Sequence, residues 1–182
     1  MMNRITGEAT LLSKGAETPM KQFDRAEAER LVQTYSDLIL RLAYTYLKST
    51  HDAEDICQNV FLKLLTGGYT FDSAEHEKAW IIRATANACK DSLRAAHRRC
   101  VGLEAAAAAP APAAPDSEVL DAVMALPQKY REAVYLHYYE GYSVREIAHL
   151  LGRSEAAVSA HLSRGRKSLR TTLGGDLYEQ RV

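Results

Sequence analysis

The sequence predicts an all-α protein of two small helical domains joined by a flexible Ala/Pro-rich linker, the C-terminal domain containing a helix-turn-helix. Three observations lead there. Apolar residues recur at intervals of three and four rather than two, the period of one helix face. The run Glu104 to Pro115, EAAAAAPAPAAP, holds three of the five prolines and no large apolar side chain, so it cannot bury a core. Glycine is sparse inside the periodic runs, and Gly67, Gly141, Gly152, Ser143 and Ser154 fall where helices should stop and start. The divisions that follow are an N-terminal extension over 1–20, a first domain over 21–100, a linker over 101–117, a second domain over 118–175 and a tail over 176–182. Met20, just before the first periodic run, is an alternative start to Met1, and an alanine-rich helix up to Ala109 is the alternative to an extended linker.

Composition narrows the class. With 182 residues, 47% of them apolar and 25% charged, the chain is not mainly disordered. Lys plus Arg and Asp plus Glu both number 23, so any affinity for nucleic acid must come from how charge is distributed. Cys57, Cys89 and Cys100 are odd in number and lack CxxC spacing, which speaks against a disulfide scaffold and a zinc site and for a reducing, cytoplasmic setting. No apolar run approaches the roughly 20 residues of a membrane span, and residues 1–20 lack the apolar core of a secretory signal.

Taken in order, the first helix carries Leu31, Tyr35, Leu38, Ile39, Leu42 and Tyr46 on one face. The second, Asp52 to Leu65, places Ala53, Ile56, Cys57, Val60, Phe61 and Leu64 in one stripe and ends at Gly67 and Gly68. A third runs from about Glu77 to Arg99, with Ala79, Ile82, Ala86, Cys89, Leu93 and Ala96 inward. After the linker a helix covers Val119 to Leu126. Pro127 suits the first turn of the next, whose Tyr130, Val134 and Tyr138 face a core and which Gly141 ends. Ser143 and Glu146 form a capping box, Gly152 closes that short helix, and Ser154 caps a last one to about Thr172.

Within Val144 to Ser163, Ala148, Gly152 and Val158 fill the positions a helix-turn-helix needs: a small residue where two helices cross, a glycine for the turn, a branched anchor on the second helix. That helix presents Glu155, Ala156, Ser159, Ala160 and Ser163 to a major groove. Arg153, Arg164, Arg166, Lys167 and Arg170 against Glu155 give a local excess of +4, a phosphate-binding footprint; the bland alternative is cations beside a helix C-terminus. The third helix carries Trp80, Arg83, Asn87, Lys90, Arg94 and Arg98 away from its apolar face, with a local excess of +5. A ring, cations and an amide suit opened DNA, where the ring stacks on an unpaired base; equally, Trp80 is a core residue and the cations a solvated face. Opposite in sign, Glu54, Asp55, Gln58 and Leu62 lie on the outer face of the second helix, either simply favouring the helix dipole or docking a basic partner helix. The acids there, with His51 and Cys57, scatter around the helix and do not form a metal site, and no cofactor motif is found.

In this order the motifs resemble those of bacterial extracytoplasmic-function (ECF) sigma factors, the promoter-recognition subunits of RNA polymerase, over about Glu29 to Arg99 and Val119 to Leu173. HDAEDICQNVFLKLL resembles the family's DAED-xx-Q-xx-F segment, KAWIIRATANACKDSLRAAHRR its minus-ten helix, and LPQKYREAVYLHYYEGYSVREIAHLLGRSEAAVSAHLSRGRKSLR its C-terminal helix-turn-helix. The resemblance implies that Asp52, Glu54, Asp55, Gln58, Phe61 and Leu62 bind the beta-prime clamp helices of core polymerase, Phe61 supporting that face from within. It implies that Trp80, Arg83, Asn87, Lys90, Asp91, Arg94 and Arg98 handle the minus-ten element, with Asn87 and the loop Gly68 to His76 as candidates for holding a flipped base. It implies minus-thirty-five recognition by Arg153, Ser154, Glu155, Ser159, Ala160, His161, Ser163 and Arg164, with Arg166 and Lys167 on phosphates. The chain departs from the commoner pattern in carrying Ser159 and His161 where Arg or Lys is usual and Gly165 where Ala is usual, which implies weak bidentate readout and a share for DNA shape. The implied partners are core RNA polymerase, through its beta-prime clamp helices and beta flap, promoter DNA, and an anti-sigma factor.

A 17-residue linker extends to about 50 Å at about 3.1 Å per residue, enough with the domain radii to bridge elements some 20 base pairs, roughly 70 Å, apart. The same linker lets the two domains pack together and hide each other's faces. Two other classes compete. A stand-alone helix-turn-helix regulator with a sensor domain would need neither the Asp52 segment nor the Trp80 to Arg98 stripe, and an enzyme would need convergent catalytic groups, whereas the six histidines are dispersed.

Overall fold

The computed structural model describes residues 25–100 and 117–174, and every regular element among them is helical. The predicted extension 1–20, nearly all of the linker 101–117 and the tail 176–182 lie outside the described residues, as does Met20.

The first unit consists of α1 (Arg25–Leu47), α2 (Thr50–Thr66) and α3 (Ala74–Cys100). The predicted stripe of α1, Leu31 to Tyr46, is buried against that of α2, Ala53 to Leu64, and against Ile81, Ile82 and Cys89 of α3. Each start has a local cause: the Ser49 hydroxyl accepts from the Asp52 amide at 3.2 Å to cap α2, and the Ser73 hydroxyl from the His76 amide at 3.1 Å to cap α3. α3 therefore begins three residues before the expected Glu77, whose carboxylate is buried and takes a 2.8 Å bond from Arg30 of α1. Leu93, expected inward, is 37% exposed; from Asp91 to Arg98 no residue of α3 is buried, because those turns project past the packed body.

The second unit comprises α4 (Ser117–Ala125), α5 (Gln128–Val134) with a π-helical turn over Tyr135–Tyr139, α6 (Val144–Leu151) and α7 (Glu155–Thr172). Pro127 stands one residue earlier than expected, as the N-cap of α5, its carbonyl accepting from Tyr130 at 2.9 Å. Tyr138, expected in the core, is 58% exposed. The cause is the π turn: the Glu140 amide reaches back five residues to the Tyr135 carbonyl, and the extra residue rotates the following side chains so that Tyr135 and Leu136 take the inward positions. Leu136, Ile147, Val158, Leu162 and Leu169 form the core. A Cβ on Gly165 would stand 3.0 Å from a Val134 methyl, so the glycine lets α7 lie close on α5.

The two units touch. α1 packs on α5 and α3 on α6. Arg131 of α5 is buried and donates through Nε to the Thr45 carbonyl of α1 and through Nη1 to the carbonyls of Met124 and Leu126, at 2.7 and 3.1 Å. Glu132, whose side chain is 0% exposed, lies between Arg153 at 3.1 Å and Lys90 of α3 at 3.9 Å. Glu140 pairs with Lys78 of α3 at 2.9 Å, and the Arg41 guanidinium of α1 meets the Tyr139 hydroxyl.

Candidate polymerase and nucleic-acid interfaces

The outer face of α2 follows from its cap and stripe. Once Ser49 fixes the start and Ala53, Ile56, Val60 and Leu64 turn inward, Asp52, Glu54, Asp55, Gln58 and Leu62 must point out, and all five are exposed. Leu62 is 59% exposed, a large apolar side chain among acids and amides. Phe61 is buried and lies beneath that face. His51 sits 3.8 Å from Asp55, both well exposed, a contact worth little in water.

On α3 the predicted stripe divides in two. Trp80 is partly buried and organises an aromatic cluster with the α2–α3 loop: its ring lies 4.4 Å from Tyr69 and 5.9 Å from Phe71, His76 stands edge-on to Phe71 at 5.6 Å, and the Lys63 ammonium lies 6.0 Å from the indole. Neither simple alternative describes it: the indole is a partly covered ring that holds a loop in place. Asn87, Arg94 and Arg98 are exposed, and Arg94 bonds Asp91 at 2.8 Å. Arg83 and Lys90 are half-buried, and Lys90 turns to Glu132 of the second unit.

The helix-turn-helix is built as its punctuation dictates. Ser143 and Glu146 make the reciprocal capping box, Gly152 ends α6 at φ 63°, and Ser154 caps α7 by accepting from Ala157 at 3.2 Å. Ala148 and Val158 are buried at the crossing. The turn sets Ser154, Glu155, Ala156, Ser159, Ser163, Arg164, Arg166 and Lys167 at the surface, with Ala160 partly covered. Arg153 and His161 are placed otherwise. Arg153 donates to Glu132 through one nitrogen and lies 3.2 Å from Nδ1 of His161 through another. Burial, then the positive charges of Arg153 and Lys129, hold the His161 imidazole below its usual range, so it accepts from Arg153 as the neutral ring.

Arg131, Glu132, Lys78, Glu140 and Tyr139 are absent from the residues singled out in the sequence. Their only trace there is a charged pair, Arg131 and Glu132, inside an apolar helix, with nothing to say what meets it. Among the described residues no cluster of His, Cys, Asp or Glu has the form of a metal site, and no helix is long and apolar enough to cross a membrane.

Two helical units in series, one with an acidic outer face and a basic helix, the other a helix-turn-helix, define a class of promoter-recognition proteins, and the comparisons give the same answer. Residues 31–99 match the family model described as Sigma-70 region 2, and residues 116–169 that described as Sigma-70, region 4. The RNA polymerase sigma factor CarQ of Myxococcus xanthus is 36% identical over 132 residues, 67% of this chain and 75% of that protein. The ECF RNA polymerase sigma factor SigE of Mycolicibacterium smegmatis is 30% identical, covering 92% of this chain and 68% of that protein. In fold, the chain resembles the sigma factor RpoE solved with the anti-sigma factor NepR from Bartonella quintana (TM-score 0.67, 21% identity, 81% of this chain and 97% of that one). It also resembles CnrH solved with the cytosolic domain of CnrY (TM-score 0.60, 23% identity, 84% and 91%). The chain belongs to the ECF family of bacterial RNA polymerase sigma factors. It is a non-catalytic initiation factor that engages RNA polymerase and promoter DNA through two helical domains, and the region 2 match accounts for the first unit where a regulator's sensor domain would not.

Proposed function

We propose that three faces divide the work. Asp52, Glu54, Asp55, Gln58 and Leu62 dock on the beta-prime clamp helices of core polymerase, with the beta flap as the second anchor. Asn87, Arg94 and Arg98, with the cluster around Trp80, hold opened minus-ten DNA. Ser159, Ser163 and Arg164 read the minus-thirty-five element, and Arg166 and Lys167 grip phosphates. The observation that carries this reading is the separation of charge: an exposed acidic face with one bare leucine on α2, and exposed cations on the far ends of α3 and α7. Residues 101–116 serve as the linker, and the protein works in the cytoplasm, where polymerase and DNA are.

An anti-sigma factor belongs to the same reading. Of the solved structures it resembles, RpoE is bound to the anti-sigma factor NepR and CnrH to the cytosolic domain of CnrY. In this chain an apolar groove lies between the units, lined by Leu40, Tyr44, Val119, Leu120, Val123 and Tyr138, and an amphipathic segment of such a partner fits its chemistry. The test is gel filtration with core RNA polymerase. Wild type co-elutes, reversal of Glu54 and Asp55 to Lys abolishes co-elution, and reversal of Arg166 and Lys167 to Glu leaves it intact while weakening promoter binding. Co-elution unchanged by the α2 reversal would overturn the docking assignment.

A further inference from the structure

His161 lies on the flank of α7, partly covered, between the buried face of Val158 and Leu162 and the exposed face of Ser163 and Arg164. Arg153, from the turn before α7, directs a guanidinium nitrogen at its Nδ1 from 3.2 Å. A guanidinium stays protonated and has no acceptor, so Nδ1 is the accepting nitrogen of the pair. A neutral imidazole carries one hydrogen, which therefore sits on Nε2 and makes that nitrogen a donor. Nε2 finds no hydrogen-bond partner among the described residues, yet it is not one of their buried polar atoms left without one, so it reaches solvent.

The orientation is built from beneath. Glu132, whose side chain is 0% exposed, holds Arg153 through its other terminal nitrogen at 3.1 Å, and all three residues belong to the second unit. The Tyr130 ring of α5 flanks the imidazole, with centroids 5.6 Å apart. Lys129, Arg153 and Arg164 surround the ring with positive charge. A Lys or Arg at position 161, usual in the commoner pattern, would add a further cation against Arg153, whereas an imidazole held neutral supplies a donor without that repulsion.

We infer that Glu132 and Arg153 are positioning residues that lock His161 as a neutral ring with its hydrogen on Nε2, and that this N–H is a single fixed donor to an acceptor on promoter DNA. The acceptor is a phosphate oxygen or a purine N7, each able to take one hydrogen bond from a neutral donor. The inference rests on the proposed reading of α7 as the minus-thirty-five helix. It gives that helix a contact that adds hydrogen bonding without adding to the ionic, salt-sensitive part of binding.

The test uses holoenzyme reconstituted from core polymerase and the full chain, on a duplex promoter fragment that the holoenzyme selects. His161→Leu should weaken binding about three- to tenfold, the size of one hydrogen bond, and leave the salt dependence of affinity unchanged. Arg166→Gln is the contrast, reducing the slope of log affinity against log salt by about 0.9 for one lost phosphate cation. Conservative variants separate the two ring nitrogens. Gln places an amide N–H near the position of Nε2 and Asn places an oxygen near that of Nδ1, so His161→Gln should restore most of the affinity and His161→Asn should not. Rescue by Asn and not by Gln would make His161 a prop for Arg153 and overturn the contact. Methylphosphonate and deazapurine substitutions across the element identify the acceptor: at one position wild type should lose affinity and His161→Leu should lose no more. Coupling to a methylphosphonate assigns a phosphate, coupling to a deazapurine assigns N7, and coupling to neither overturns the inference. Nitrogen NMR of the histidine-labelled full chain reads the tautomer directly. Wild type should carry the hydrogen on Nε2, and Arg153→Met should give a mixture of tautomers; should that variant fail to fold, the shorter Arg153→Gln is measured in its place. A wild-type hydrogen on Nδ1, or a tautomer unmoved by loss of Arg153, would overturn the positioning role. Co-elution with core polymerase is followed throughout. Wild type that co-elutes and selects promoters, with every His161 variant equal to it, overturns this inference alone, whereas wild type that does neither overturns the reading beneath it.

Discussion

Replacing Arg153 by Met probes the buried charge directly. The substitution removes a 3.1 Å ion pair and leaves Glu132, 0% exposed, with the Tyr46 hydroxyl beside it and Lys90 as its remaining ion-pair partner at 3.9 Å, beyond hydrogen-bond length. At an effective dielectric near 20 a pair at this separation is worth about 4 kcal/mol, and breaking a buried pair from one side typically costs about 3–5 kcal/mol. Arg153 is itself 24% exposed and Lys90 remains nearby, so the expected loss is about 2–4 kcal/mol. For a chain of this size that lowers Tm by roughly 5–15 °C in calorimetry. Arg166→Met, at an exposed position of the same helix, should change stability by no more than about 0.5 kcal/mol. Adding Glu132→Leu to Arg153→Met removes the stranded carboxylate and should recover more than half of the loss. If Arg153→Met matched the Arg166 control, or if the two losses simply added, Glu132 would not be an uncompensated buried charge and the account of the contact would fail.

Two further outcomes follow from particular groups. His161 is held below its ordinary pKa of 6.5, so the folded protein disfavours its protonated form. Its contribution is fully present above pH 6.5 and is lost as pH falls through the lower folded value; urea midpoints should drop between pH 7.5 and 5.5, and His161→Gln should flatten that drop, whereas an unchanged slope would place the titration elsewhere. Gly152 adopts φ 63° with open space where a Cβ would go, so Gly152→Ala should cost about 1 kcal/mol from backbone strain alone, read as a lower urea midpoint with the fold retained.

Much of this molecule is local, and what is local was legible. The stripes of α1 and α2, the Ser143 box, Gly152 and the Ser154 cap each depend on residues within a few positions, and the structure places them as their spacing requires. The exposed acids of α2 and the exposed part of α7 follow from those same phases. Tyr138 was misplaced because a single π turn breaks the 3.6-residue period, and nothing in YLHYY announces it. Leu93 was misplaced because periodicity says which side of a helix is apolar, not where its neighbours end. Periodicity alone gives Lys90 and Arg153 no partner, because Glu132 is distant from both in sequence: Arg153 meets it through the fold of the second unit, and Lys90 only where the two units pack.

The central claim is that this chain confers promoter choice on RNA polymerase, and the most direct measurement is reconstituted transcription with start sites mapped across the source genome. Core polymerase plus the full chain should initiate at a defined set of promoters sharing two elements some 20 base pairs apart, with initiation lost when Glu54 and Asp55 are reversed. Initiation no more selective than that of core polymerase alone would contradict the account.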